Sequence, residues 1–153
     1  MRHEPQPAPT AEEVAGRLLR IHRHLRAYAK QVSAELGISG RQLAALRFLS
    51  ENGPQPLGHL AAHLYIADST ASELVDTLAE QRLVTRARRS GDARVADVTL
   101  TSTGEAMVAR APLAGMGLLR QRLRGESPER LAALAETLDL LAGLMEIDAH
   151  GQR

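Results

Sequence analysis

The chain has 153 residues, 44% hydrophobic and 24% charged, which suits one globular domain with a real core. It contains no cysteine, so a disulfide scaffold, a thiol nucleophile and a cysteine-based metal site are excluded. Aromatic residues make up only 2%, so the core must come from Leu, Val and Ala, types that favour helix packing.

Net charge is +1, but unevenly placed. Residues 82–94 carry five arginines (82, 86, 88, 89 and 94) against one acid, Asp92, a net of +4 that leaves −3 for the rest. The first ten residues, MRHEPQPAPT, are Pro-rich and polar and are expected to form a disordered tail, 1–10. They lack the apolar centre of a secretion signal. No apolar run approaches the roughly 20 residues of a membrane span. A cytoplasmic protein with no membrane partner is expected.

From Ala11 the pattern is helical. Val14, Leu18, Ile21, Leu25, Tyr28 and Val32 recur every three or four residues as a narrow stripe, and Gly37 is placed to cap the end. Tyr28 belongs either to this stripe or to a ligand cavity. In ISGRQLAALRFLS, Ser39 and Gln42 form a capping box, and Leu43, Leu46 and Leu49 or Phe48 supply a buried face. ENGPQP breaks the chain. Leu57, Leu60, Ala61 and Leu64 then mark a short helix. After a turn over 65–68, Ala71, Leu74, Val75 and Leu78 mark another, in the helix-turn-helix arrangement. Two strands follow, about 83–88 and 95–101, with Ala96, Val98 and Leu100 on one face of the second.

Thr101 or Ser102 can cap the next helix, with Glu105 as box partner of Ser102. Pro112, Gly115 and Gly117 should bend or weaken that helix. Ser127-Pro128 starts the last helix, striped by Leu131, Leu134, Leu138, Leu141 and Met145. The terminal stripes look like halves of a helix–helix interface. A homodimer through Val14, Leu18, Ile21, Leu25, Leu134, Leu138, Leu141 and Met145 is expected, over packing within one chain.

A helix-turn-helix followed at once by an arginine-tipped hairpin is a winged-helix layout. A helix fits the major groove, and a thin ribbon can carry Arg into the minor groove beside it. LAAHLYIADSTASELVDTLAEQRLV followed by RARRSGDARVADVTLTSTGEAM resembles the MarR family of bacterial transcriptional regulators. Three pieces carry the resemblance. Ser69-Thr70-x-Ser72 precedes Leu74-Val75-Asp76 and Leu78; Asp92-x-Arg94 precedes Val98-x-Leu100-Thr101; and Thr101-x-x-Gly104 opens the next helix.

The resemblance covers about residues 11–148. It implies a mainly α fold with a small β-hairpin wing, in a single unit over 11–153. Residues 11–36 and 103–149 would form the dimerisation helices and 38–102 the winged helix. It implies a homodimeric repressor on a near-palindromic double-stranded DNA operator. A small lipophilic or phenolic effector, bound between the dimerisation and DNA-binding regions by residues left unassigned, would release it.

The expected recognition-helix residues are Asp68, Ser69, Thr70, Ser72, Glu73 and Thr77, and those of the wing are Arg86, Arg88, Arg89, Asp92 and Arg94. Asp92 would shape the wing, Arg94 reach the DNA, and Arg88 and Arg89 contact phosphates. Placing Ala71, Leu74 and Leu78 inward turns Ser69, Glu73, Asp76 and Glu80 outward.

The chain departs from the family pattern at several positions. Glu73 stands where the family usually has a basic residue, and Thr77 where it often has another. Ala67 replaces a capping Ser or Thr, leaving Asp68 to cap. Tyr65 and Arg82 occupy positions that are often Gly. Glu73 and the small net charge motivate an alternative, a dimeric winged-helix protein-interaction module with weak or lost specific DNA binding.

His22-x-His24, and His59 with His63 at i, i+4, have metal-binding spacing, but no acid–His cluster accompanies them. No metal and no cofactor are expected. No nucleophile–base pair or phosphate loop suggests an enzyme.

Overall fold

The computed structural model describes residues 8–89 and 92–147; for 88, 89 and 92–96 the description is of the backbone alone. Of the expected tail, residues 1–7 lie outside the described residues, as do 148 and 149 of the last expected segment.

Seven helices and three short strands are described: α1 (Ala11–Leu36), α2 (Gly40–Asn52), β1 (Gln55–Pro56), α3 (Leu57–Leu64), α4 (Asp68–Glu80), β2 (Val84–Arg89), β3 (Asp92–Leu100), α5 (Ser102–Arg110), α6 (Gly115–Leu123) and α7 (Pro128–Leu144).

Local chemistry sets the boundaries. Thr10 and Ser39 form reciprocal capping boxes with Glu13 and Gln42, and Gly37 ends α1 in the left-handed conformation that an L side chain resists. Ser127 caps α7 ahead of Pro128 at its first position. Thr101, not Ser102, caps α5: its Oγ1 accepts from Gly104 N and donates to Arg82 O. The expected single bent helix after 102 is two helices, because Pro112 lies in the elbow, 111–114, between α5 and α6.

The sheet order is β1-β3-β2, antiparallel throughout. β1 lies in the segment read from sequence only as a break. At two residues it is too short for a period-two signal, and its Pro suits an edge strand. The hairpin register runs from Val84↔Leu100 to Arg88↔Ala96 and shifts before Arg89↔Asp92.

The core joins Val32, Ile38, Leu43, Leu46, Leu49, Leu60, Val75, Leu78, Leu83, Val84 and Val98. It therefore lies in the winged-helix lobe, into which α1 sends Val32. α7 buries none of its residues. No described helix is long and apolar enough to cross a membrane.

Candidate nucleic-acid interface and ligand cavity

α3 and α4 form the helix-turn-helix. Ala71, Val75 and Leu78 fix α4 in the core, while Leu74 is only half-buried. Asp68, Ser69, Glu73, Asp76, Thr77 and Glu80 are thereby exposed, and Thr70 and Ser72 half-exposed. Asp68 does not cap α4. Ala67 takes the extended cap conformation (φ −66°, ψ 152°) without a side-chain bond, so Asp68 is already helical. There its carboxylate complements the helix dipole instead. Thr77 Oγ1 donates back to Glu73 O at 3.0 Å. The turn before α4 is tight: Tyr65 adopts φ 55°, and Arg82, after α4, φ 59°. Both are positions where the sequence pattern had Gly replaced.

β2 runs alongside α4. Arg86 turns its guanidinium to that helix, donating to Ser72 O at 3.0 Å and Ser72 Oγ at 3.2 Å and pairing with Asp76 Oδ1 at 3.0 Å. The backbones of Arg88, Arg89, Asp92 and Arg94 form the far end of the hairpin. Their side chains lie outside the described residues.

Behind the helix-turn-helix is a cavity of about 380 Å³ between α1, α2, α3 and α6. Leu25, Leu43, Phe48, Leu64 and Met116 give it apolar walls, and Arg41, Arg47, Arg120 and Arg124 bring guanidinium groups. Three of these arginines already tie elements together. Arg47 donates to Ala111 O (3.3 Å) and Pro112 O (2.7 Å), joining α2 to the elbow. Arg120 on α6 donates to His63 Nε2 (2.6 Å) and His63 O (3.2 Å) at the end of α3. Arg124 pairs with Glu51 on α2.

Tyr28 Oη donates to Pro112 O at 2.6 Å, which places this residue in the cavity wall and not on the exposed stripe. The His63 ring stacks on Phe48 with centroids 4.2 Å apart. Burial, then the Arg120 charge, hold the His63 pKa below its ordinary value. Gly115 and Gly117 are close-approach positions. An added Cβ would lie 2.5 Å from the Tyr28 ring at Gly115 and 2.4 Å from Arg47 Nη1 at Gly117.

The terminal helices leave apolar side chains uncovered. Val14, Leu18, Ile21, Leu134, Leu138 and Met145 are exposed, and Leu25 and Leu141 half-buried.

Residues 36–95 match the sequence profile of the MarR family. The chain is 28% identical over 120 residues to YsmB of Bacillus subtilis, an uncharacterised HTH-type transcriptional regulator, covering 76% of this chain and 82% of that one. A MarR family protein from Bacillus stearothermophilus superposes with a TM-score of 0.57 at 28% identity, over 91% of this chain and 99% of that one. The chain thus resembles the MarR family, in sequence over residues 36–95 and in fold over most of its length. Its fold is a winged helix flanked by terminal helices, as in those proteins. BpsR of Bordetella bronchiseptica, whose DNA binding is regulated by 6-hydroxynicotinic acid, shares the fold (TM-score 0.59, 21% identity, 84% of this chain and 98% of that one).

In this MarR-like chain the structure brings Ser72, Asp76 and Arg86 together, a cluster not visible in the spacing alone. Arg47, His63 and Arg120 were not picked out as cavity residues. Gly115 and Gly117, read as helix weakeners, were the signal, since closely spaced glycines also mark close approach. Among the described residues no group of three or more His, Asp or Glu is placed to hold a metal; His59 Nδ1 instead meets Gln55 Oε1 at 3.1 Å.

Proposed function

We propose that the protein is a homodimeric repressor that places α4 in the major groove of each half-site of a near-palindromic operator. Ser69, Thr70, Ser72, Glu73 and Thr77 would meet bases or phosphates there, with Asp68 at the helix start. Arg88, Arg89 and Arg94 of the wing would grip the neighbouring backbone and minor groove, and Asp92 would shape the tip. The observation that carries this reading is the exposed outer face of α4 beside the hairpin, on a lobe that holds most of the core. The apolar faces of α1 and α7 support association through Val14, Leu18, Ile21, Leu25, Leu134, Leu138, Leu141 and Met145. The cavity supports release by a small lipophilic or phenolic effector, as does the regulation of BpsR by an aromatic acid.

Fluorescence anisotropy with DNA from upstream of the protein's own gene tests this reading, with addition of 6-hydroxynicotinic acid as probe. Tight binding that scrambled DNA does not compete is expected. Binding no tighter than to scrambled DNA at low salt would sink the repressor reading.

One observation favours a second reading. α4 exposes four carboxylates, Asp68, Glu73, Asp76 and Glu80, and carries no basic residue. Such a surface suits a basic protein partner, and the same anisotropy measurement decides between the two.

A further inference from the structure

We propose that Arg120 is the anchor for an effector carboxylate, and that the carboxylate takes Arg120 from His63, opening the tie between α6 and the helix-turn-helix. The inference rests on the cavity's being the effector site and specifies how that site is read and coupled.

The four cavity arginines are not equivalent. Arg41 is exposed, so water weakens any pair it makes. Arg124 already faces a carboxylate, Glu51, and a second acid would only replace like with like. Arg47 reaches Ala111 O, Pro112 O and Tyr28 Oη, and its withdrawal would cost the elbow those donors. Arg120 is half-buried, where a charge-assisted bond is stronger than at the surface, and its partners are neutral: one carbonyl and one imidazole nitrogen. Beside it the Phe48–His63 stack offers a flat wall to an aromatic body.

Donor–acceptor logic gives the consequence. Guanidinium can only donate, so His63 Nε2 accepts and the ring is neutral, with its proton on Nδ1. Once Arg120 turns to a carboxylate, Nε2 loses its donor. A proton from solvent repairs this, because imidazolium Nε2–H can donate to the same carboxylate. No buried polar group is stranded.

The charges facing His63 agree with that direction. Arg120 of α6 and Arg124 just after that helix oppose protonation, and Glu51 from α2 favours it. Arg41 and Arg47 of α2 and Tyr28 of α1 line the same cavity, and His59 lies one turn back on α3. Exchanging the Arg120 contact for an anion therefore raises the affinity of His63 for a proton. Arg120 also holds His63 O, two residues before the strained turn at Tyr65, so its departure frees the segment that aims α4.

The test is calorimetric titration of the full-length protein with benzoate, and with uncharged benzamide of the same shape, from about pH 6 to pH 8 in buffers of different ionisation enthalpy. Benzoate is expected to bind about tenfold or more tightly than benzamide. It should take up protons and weaken as pH rises, by at most about tenfold per pH unit. Arg120→Gln should remove the preference for benzoate. His63→Gln should keep the preference and lose the proton uptake. If neither compound binds, the cavity reading fails and the proposal falls with it. If benzoate binds Arg120→Gln as tightly as wild type, or wild type without proton uptake, the cavity reading survives and the exchange is overturned. The proton count is measured on wild type, so that outcome does not depend on a variant folding.

Discussion

Arg86 on β2 and Asp76 on α4 form an ion pair of 3.0 Å, and the same guanidinium nitrogen donates to the carbonyl and hydroxyl of Ser72. The wing's first strand is thus bolted to the helix that faces outward. Arg86, expected from sequence to touch DNA, commits its Nη2 to α4, and we propose that it acts by positioning the wing.

A positioning role and a phosphate contact differ in their salt response. Arg86→Met should weaken DNA binding while leaving the slope of log K against log salt unchanged. Loss of a phosphate contact would reduce that slope by about one unit. Because both partners are substantially exposed, stability should change by less than about 1 kcal/mol. Anisotropy titrations at several salt concentrations decide; a slope reduced by about one unit would return Arg86 to the DNA interface.

Gly104 opens α5 where that helix meets the start of β2. A Cβ there would sit 2.2 Å from Leu83 O and 2.9 Å from Leu100 Cδ2. Leu83 O is itself pinned by Thr101 N at 3.1 Å, so it has little room to yield. Gly104→Ala should therefore destabilise the protein by about 1–3 kcal/mol through overpacking. Urea denaturation measures this, and an unchanged midpoint would contradict it.

Tyr65 and Arg82 hold positive φ angles of 55° and 59°, and Tyr65 is 87% exposed, with little packing to offset the strain. The left-handed conformation costs a non-glycine residue about 1–2 kcal/mol, partly cancelled by the greater entropy loss of glycine. Tyr65→Gly should therefore stabilise by about 1 kcal/mol, raising Tm by roughly 2–4 °C. A fall in Tm would mean that the exposed ring contributes packing after all.

The elements that chemistry sets locally were legible in the sequence. The capping box read at Ser39 forms in full, whereas the one at Thr10 falls in the segment expected to be a tail. Apolar spacing located α3 and α4, and Tyr65, which stands where Gly is common, does take positive φ, as Arg82 is found to do as well. What depended on tertiary approach was not legible. The α1 stripe reads as one face, yet its end turns home: Val32 enters the core and Tyr28 meets Pro112 O. Likewise the arginines of α2 and α6 look like solvated charges until folding brings Arg47 to the elbow and Arg120 to His63. Period and spacing carry no information about which neighbour a long side chain will reach.

His63 gives stability a pH dependence of definite sign. Its pKa lies below 6.5 in the folded protein, chiefly through burial and then Arg120. As pH falls below about 6.5 the unfolded chain takes up this proton before the folded one does. The contribution of His63 is thus fully present above the unfolded value and is lost as pH drops through the lowered folded value. Thermal melts should show Tm declining over that acidic range, and His63→Gln should flatten the decline. An equally steep decline in the variant would assign the effect to other groups.

The arms should separate when their apolar face is charged. Leu138 is 62% exposed on α7, a helix that buries nothing within its own chain. In the proposed dimer it would be covered, and a carboxylate there would lack a partner, at a cost of several kcal/mol. Leu138→Glu should therefore sediment as a monomer at concentrations where wild type is a dimer. Its circular dichroism should change little, because the core lies in the winged-helix lobe. Glu136→Lys, placed about 200° around the helix from Leu138, should leave association intact. The monomer should also lose DNA affinity, since a single winged helix reads one half-site. Unchanged sedimentation of Leu138→Glu would remove this face of α7 from the interface and leave its exposed leucines for a different partner.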